Sequence, residues 1–367
     1  MAAGTSEDQE QLGLQDTPQP KDFEYREDEF ILEGVSWPGA ALSRFDRELL
    51  GAWQERMERG LFRYRLAELP TRVLPGTMRL LAQLNVQRST ERRRPQPVHS
   101  LTQPFDPQQF NFTQIRPGEE LLRLRRRTSA ESDRASADHV LVVINVSPLE
   151  RGHVLLLPEP TLCLPQVLTP ELLRVGLEAV LLSAQPGFRV GFNSLGASAS
   201  VNHLHMHGFY LAHPLLVEAA PAEPLCPARG LSLLREAPAP ALLFYTEGGG
   251  LETLARDVCR AAAHLLALGL AYNVFVTRGA PPEGSAGPGP GAGLRLLLWA
   301  RRPRFEAEHG AAFNVALCEL AGLLPLSAAA AFEGLREAEA LRAIRRPLLP
   351  EPDLRRLAAE LLRLLED

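Results

Sequence analysis

Apolar residues recur at three-to-four spacing across Ala40–Arg59 (Leu42, Phe45, Leu49, Leu50, Trp53, Met57), the mark of a helix with one buried face. The pattern changes at His139–Val146, a β-branched run, and at His153–Pro158, a second apolar run of strand length. Ser147–Gly152 lies between them and carries the Pro and Gly of a hairpin connection. Thr169-Pro170-Glu171 opens a helix predicted over Thr169–Ser183. Phe188–Phe192 and His203–Leu211 read as two further strands, joined by the small-residue loop Asn193–Asn202. The C-terminal third repeats part of this order, without a residue-level repeat. A helix at Leu251–Leu268 precedes a strand at Tyr272–Thr277 and another at Leu294–Ala300, and helices are predicted at Ala311–Leu323 and Pro350–Glu366. The run between the two strands, Gly279–Gly293, is low in complexity and reads as a flexible loop.

These elements predict an α+β fold, an antiparallel sheet flanked by helices, whose second half is a candidate degenerate copy of the first. Three regions are expected: a disordered tail over 1–22, a catalytic region over 23–245, and a C-terminal α/β region over 246–367 with the flexible loop at 279–293.

Composition narrows the function. The 367 residues are 45% hydrophobic and 23% charged, enough to build a core. The net charge of −5 argues against a general nucleic-acid binder, which needs a basic surface to neutralise phosphates. Lys21 is the one lysine, which excludes a P-loop and Schiff-base chemistry. The four cysteines show no C-x-x-C spacing, as suits free thiols of a reducing compartment. The first twenty residues lack the apolar stretch of a secretory signal, and no stretch of about 18 apolar residues occurs anywhere. A soluble cytoplasmic protein without membrane or nucleic-acid partners is expected.

Three of the nine histidines fall within five residues, His203-Leu204-His205-Met206-His207. On a strand all three would share one face. They could be tolerated on a solvated face. They could share a metal ion, although no carboxylate or cysteine is adjacent. They could also carry nucleophilic chemistry at phosphorus, with a histidine as covalent carrier.

The spaced histidines follow a strand, a small-residue loop and an earlier Pro-x-x-x-Gly-His hairpin. The order resembles the histidine-triad superfamily of nucleotide hydrolases and transferases, which includes the galactose-1-phosphate uridylyltransferases. Longer segments are similar to one group within it, the GDP-hexose phosphorylases of animals and plants: Gly191–Leu211, Ile144–Pro160, Ala82–Arg88, Pro104–Ile115 and Phe313–Gly322. The plant enzymes and the uridylyltransferases carry Gln where this chain has His207. The plant Leu-Asn-Glu-Gly-Arg stretch reads here Leu84-Asn85-Val86-Gln87-Arg88. Sugar preference is therefore expected to follow the animal enzymes, and so GDP-glucose.

The resemblance implies the roles. His205 would be the nucleophile, attacking the α-phosphorus of GDP-glucose and releasing glucose 1-phosphate. Inorganic phosphate would then attack the guanylyl-histidine and release GDP. His203 would orient the nucleophile through its backbone carbonyl, and His207 would donate a hydrogen bond to a substrate oxygen. Asn193 and Ser200 fall where the superfamily places phosphate-contacting groups, and His153 matches a superfamily position near the nucleophile, balanced against a strand-end histidine that merely packs. Phe112 and Asn111 resemble a base-pocket segment, each balanced against a packing role. Arg88, Arg116 and Arg151 are candidate phosphate partners through their guanidinium forks. The arginine runs at 92–94 and 125–127 read as exposed faces. The paired cysteines that hold structural zinc in the uridylyltransferase branch are missing, so no metal and no cofactor are expected. A homodimer is left open. The competing functions are a histidine-triad nucleotide hydrolase, with water in place of phosphate, and a non-enzymatic guanine-nucleotide-responsive binding or exchange protein.

Overall fold

The computed structural model describes residues 18–37, 41–127, 139–283, 293–305 and 312–366. Fourteen strands lie among them. The first six are β1 (Lys21–Tyr25), β2 (Thr71–Val73), β3 (Leu81–Leu84), β4 (Glu120–Arg126), β5 (Val140–Ile144) and β6 (Val154–Leu157). Then follow β7 (Phe188–Asn193), β8 (Met206–Tyr210), β9 (Glu223–Cys226), β10 (Leu231–Leu234), β11 (Ala241–Thr246), β12 (Ala271–Arg278), β13 (Leu294–Arg301) and β14 (Leu323–Leu326). The helices are α1 (Arg44–Glu58), α2 (Val86–Glu91), α3 (Pro170–Leu182), α4 (Leu251–Ala267), α5 (Leu317–Ala321), α6 (Ala329–Gly334), α7 (Glu337–Arg345) and α8 (Glu351–Glu366).

Eleven strands form one sheet, ordered β1-β4-β5-β6-β8-β7-β12-β13-β11-β10-β9; β3 lies between β14 and β2 in a smaller one. The large sheet is antiparallel except where β1 runs parallel to β4 at the edge. Its two halves repeat one topology. In the first, hairpin β5-β6, helix α3 and hairpin β7-β8 give the spatial order 5-6-8-7; in the second, β10-β11, α4 and β12-β13 give 10-11-13-12. The halves meet where β7 pairs with β12, Asn193 opposite Asn273.

Every residue of β5, β6, β7, β10, β12 and β13 is buried, because both faces of the sheet are covered. On one face Val142, Ile144, Leu156, Met206, Val190, Val274 and Leu296 pack under α1, α3, α4 and α8. On the other, Phe209, Phe275, Leu297 and Trp299 pack with the small sheet and α5, while Val143, Leu155 and Leu157 meet Phe112 from the loop before β4. Local signals set the helix starts. Thr169 caps α3 by accepting from the Leu172 N–H, with Pro170 at the first helical position, and Ser43 and Asp46 close a capping box on α1.

Three expectations change. Residues 21 and 22, assigned to the tail, lie in β1, where the edge of β4 supplies backbone partners that an isolated segment lacks. The helix expected over Ala311–Leu323 is only the short α5, because Leu323–Leu326 leaves it to pair in parallel with β3; Ala311 lies outside the described residues. Within the strand expected at His203–Leu211, only Met206–Tyr210 joins the sheet. Much of the loop Gly279–Gly293 falls outside the described residues.

Candidate active site

The chain just before β8 is held by side chains and loops. The Leu204 N–H donates to the Leu164 carbonyl at 2.8 Å. Gln166 clamps His205 from both sides: its Oε1 accepts from the His205 N–H at 2.9 Å and its Nε2 donates to the His205 carbonyl at 3.1 Å. The same Nε2 lies 3.0 Å from the Asn193 carbonyl, which ties His205 to the end of β7. Asn202 fixes the preceding turn, accepting from the Gln166 N–H and donating to the Gln103 and Pro104 carbonyls. A regular ladder would satisfy these backbone groups with β6 instead; here the satisfaction is local and the residues are free to turn.

The three histidines consequently do not share one strand face. His205 and His207 are neighbours, with ring centroids 5.1 Å apart, whereas His203 turns towards Phe105 and Phe112, at 5.0 and 5.3 Å. His207, on β8, faces the second side of the sheet between Leu155 of β6 and Gly191 of β7. Gly191 leaves room there. A Cβ would come 2.8 Å from the Val274 carbonyl and 3.1 Å from Leu317, forcing α5 away.

The hydrogen bonds fix the proton on each ring. His205 Nδ1 lies 2.7 Å from the His203 carbonyl, an acceptor only, so Nδ1 carries the proton and Nε2 holds a free lone pair. His203 accepts from the Phe112 N–H at Nδ1, at 3.0 Å, and is bonded on its other side to the Pro160 carbonyl. His153 accepts from the Leu149 N–H at Nδ1, at 2.8 Å, so its proton sits on Nε2. That Nε2 is 3.1 Å from His207 Nδ1 and donates to it. The proton of His207 is thereby placed on Nε2. Asn145 Nδ2 also approaches His153 Nε2, at 3.3 Å, but both are donors, since Asn145 Oδ1 accepts from the Ser147 N–H; we read this as a contact and not a bond. Burial keeps all four rings neutral. It pushes His203 and His205 down to about 4, and His153 and His207 well below the usual imidazole value, with the neighbouring rings adding to the last two.

Two cavities flank this group. The first, about 400 Å³, is lined by His205, Phe110, Phe112, Val143, Leu155 and Val201, with Glu119, Asn145 and several arginines at its polar margin. The second, about 380 Å³, is lined by His153, Asn193, Ser198, Arg301, Glu319 and other residues of both halves. Arg88, Arg92, Ser200 and His207 wall both.

The candidate residues divide accordingly. His205, His207, His153, Asn193, Ser200, Arg88 and Phe112 line one or both cavities. His203 stands behind His205 and positions it. Phe112 supplies both the backbone bond to His203 and a ring 5.1 Å from that of His205. Asn193 spends its Oδ1 on Asn273 Nδ2, at 2.6 Å, and on the Leu317 N–H, at 3.1 Å. Arg88 Nη1 bonds the Ser147 carbonyl. Arg116 pairs with Glu119 at 3.0 Å beside the first cavity, whereas Arg151 lines neither cavity. Asn111 lines neither cavity; its Oδ1 accepts from the Thr113 N–H and hydroxyl, and its Nδ2 donates to the Gln109 carbonyl. The run at 92–94 is not simply an exposed face. Arg92 walls both cavities, and Arg93 lies over the Phe110 ring at 3.0 Å. Among the described residues no group of three or more His, Cys, Asp and Glu could hold a metal ion.

Gln166, Asn145, Arg301 and Glu319 belong to the site and lack a sequence signal of their own. Gln166 stands alone in an apolar loop. Glu319 lies in a segment that carried the resemblance but had no assigned chemistry. Burial pushes the Glu319 carboxyl up to about 7, against hydrogen bonds from backbone and the attraction of Arg88 and Arg92.

Two family models cover most of the chain: the GDPGP1-like N-terminal domain matches residues 44–209, and the GDPGP1-like C-terminal domain matches 224–367. The chain is 54% identical over 354 residues to GDP-D-glucose phosphorylase 1 of Bos taurus, covering 94% of this chain and 92% of that one. It is 52% identical over 366 residues to the Homo sapiens protein of that name, covering 97% and 94%. It is 31% identical over 333 residues to GDP-L-galactose phosphorylase 2 of Arabidopsis thaliana, covering 84% and 73%. Among solved structures, yeast Ap4A phosphorylase Apa2 in complex with Ap4A shares the fold, with a TM-score of 0.56 at 13% identity over 84% of this chain and 98% of that one.

Proposed function

The chain belongs to the GDPGP1-like family, and from that premise we propose that it is a GDP-D-glucose phosphorylase working through a guanylyl-histidine. It is a nucleotidyltransferase that converts GDP-glucose and inorganic phosphate to glucose 1-phosphate and GDP. The observation that carries the mechanism is the bond from His205 Nδ1 to the His203 carbonyl, at 2.7 Å, which leaves Nε2 unprotonated at the wall of the first cavity.

The guanosine and its α-phosphate occupy the cavity that contains His205, where Phe110 and Phe112 offer aromatic faces to a purine. Glucose 1-phosphate occupies the second cavity. The Nε2 lone pair forms the P–N bond as the bond from the α-phosphorus to the bridging oxygen breaks. The electron pair leaves with glucose 1-phosphate. His205 becomes a phosphorylated imidazolium, and its Nδ1–H to the His203 carbonyl strengthens into a charge-assisted bond. His207 Nε2–H, its tautomer imposed by His153, donates to an oxygen on which charge develops. Inorganic phosphate then attacks the same phosphorus, the P–N bond breaks, and neutral His205 is regenerated as GDP leaves. Two displacements at the α-phosphorus, with the imidazole first as neutral nucleophile and then as leaving group, replace one direct exchange between the two anionic groups.

This reading places the enzyme in the cytoplasm, without nucleic acid or membrane. The four cysteines, all free, support a reducing compartment. Among the described residues no helix is long and apolar enough to cross a membrane. The test is incubation with GDP-glucose with and without phosphate. Phosphate-dependent release of GDP and glucose 1-phosphate is expected, with a GMP adduct on the peptide containing His205 when phosphate is withheld. GMP as the main product irrespective of phosphate would refute the phosphorylase, and equal kcat/KM for UDP-glucose would refute the guanine preference.

A further inference from the structure

Alternate strands of the sheet run in opposite directions, so the C-terminus of β13 lies at the same end as the C-terminus of β7 and the start of β8. Arg301 ends β13 there, opposite Ala271 of β12. It is 2% exposed. Its Nη1 donates to the Val315 carbonyl at 2.7 Å and reaches Asn273 Oδ1 at 3.4 Å, both uncharged acceptors. Its Nε has no partner, and no carboxylate pairs with it among the described residues. Of the other buried arginines, Arg189 pairs with Glu218 at 2.5 Å, whereas Arg295 and Arg278 bind carbonyls, as Arg301 does, but line neither cavity. Arg301 lines the second cavity, as His207 does. Glu319, on the wall of the same cavity, attracts Arg301 from beyond ion-pairing distance; a buried cation held only this loosely is costly unless a closer anion arrives with a ligand.

We propose that Arg301 binds the phosphate group that departs with the hexose and, in the second step, the inorganic phosphate that replaces it. This deepens the function proposed above and rests on it. Both groups occupy one position, because each is the neighbour of the α-phosphorus in the bond being broken or made. The planar guanidinium suits two oxygens of such a group. Asn273 links the subsite to the nucleophile: it contacts Arg301 through Oδ1 and Asn193 through Nδ2, and Gln166 joins the Asn193 carbonyl to His205. Glu319 walls the same cavity, and its raised pKa, about 7, leaves much of it neutral near neutrality and so weakens its repulsion of a phosphate. The C-terminal half, which carries no triad, thereby supplies the recognition that makes phosphate the acceptor instead of water.

The test separates loading from transfer in the full-length protein. Guanosine 5′-phosphorimidazolide delivers the guanylyl group to His205 without a second phosphate. Arg301→Gln should load from this reagent within threefold of the wild-type rate, yet lose about 100-fold in kcat/KM for inorganic phosphate, with a larger share of product appearing as GMP. Arg301→Lys, which keeps the charge but loses the fork, should raise the KM for phosphate about tenfold. Glucose 1-phosphate should compete with phosphate in the wild type, and added guanidinium should partly restore transfer to Arg301→Ala. An unchanged KM for phosphate in the Lys variant overturns the proposal, as does an equal loss of loading and transfer in folded Gln variant. A wild type that fails to pass the guanylyl group to phosphate at all would instead refute the function proposed above.

Discussion

His205 is pushed from an ordinary value of 6.5 to about 4 because its ring is buried, and the bond to the His203 carbonyl only partly offsets this. A protonated imidazole cannot attack phosphorus, so guanylylation should lose its rate on the acid side near pH 4 and not near 6.5. At pH 5.5 a group titrating at about 4 is about 97% neutral, whereas one at 6.5 is about 9% neutral, a tenfold difference in competent enzyme. The assay is a single turnover with GDP-glucose and no phosphate, quenched at intervals and read by mass spectrometry as GMP added to the His205 peptide between pH 4.5 and 8. A rate flat from pH 8 to 5.5 is expected. The same burial appears in stability. Below pH 6.5 the unfolded chain binds a proton at His203 and His205 that the folded chain refuses until about pH 4. Stability is therefore at its plateau above 6.5 and falls as the pH drops, by up to about 1.4 kcal/mol per pH unit for each ring. A guanylylation limb centred between pH 6 and 7 in a protein still folded there would refute the burial argument.

His205→Asn should abolish turnover, with a loss of at least about four orders of magnitude (~5 kcal/mol in barrier), and leave the far-ultraviolet circular dichroism spectrum unchanged. His207→Gln should retain measurable kcat, since an amide still donates a hydrogen bond; a loss as complete as that of His205→Asn would show that His207 does more than donate. Gln166→Ala leaves the His205 N–H without its acceptor and its carbonyl without a donor, so a loss of about 2 to 4 kcal/mol in denaturant unfolding is expected, with kcat falling more than KM rises. Glu319→Gln should be more stable than wild type at pH 8 and not at pH 4, because a carboxyl held at about 7 resists the ionisation that the unfolded chain undergoes from 4.5 upward, a difference of up to about 3 kcal/mol readable as Tm against pH.

The strands of the catalytic half were legible because β5, β6 and β7 are short apolar runs bounded by Pro, Gly and Asn, and α3 announces its start with Thr169-Pro170. The edges and the small sheet were not. β1, β2 and β14 are short segments whose strand character comes from neighbours distant in the chain, as when Leu323–Leu326 pairs with Leu81–Leu84. The alternation rule placed His203, His205 and His207 on one face, and it failed where Gln166 and Leu164 took over the backbone bonds. Proximity of His205 to His207 was readable from spacing. The proton positions were not, since each depends on a partner such as the Leu149 N–H or the Phe112 N–H that only tertiary folding brings near. Arg301 was hidden for a similar reason: with 39 basic residues, nearly all arginine, nothing in the chain marks one that is buried at a cavity wall with its Nε unpartnered.

The shared wall between the two cavities bears on inhibition. On the proposed reading, a compound filling only the aromatic cavity would compete with the guanosine portion, and one filling only the arginine-lined cavity would compete with the sugar phosphate. Arg88, Arg92, Ser200 and His207 line both cavities, so both compounds would meet that boundary, on this reading a ridge between them. A tether crossing that ridge turns the second contact into an intramolecular event, whose effective concentration is set by tether length and stiffness. Two weak fragments could then gain on the order of 10²–10⁴ in avidity without any new contact. A tether that sits too high over His207 would forfeit that gain, because the two ends could not be seated together.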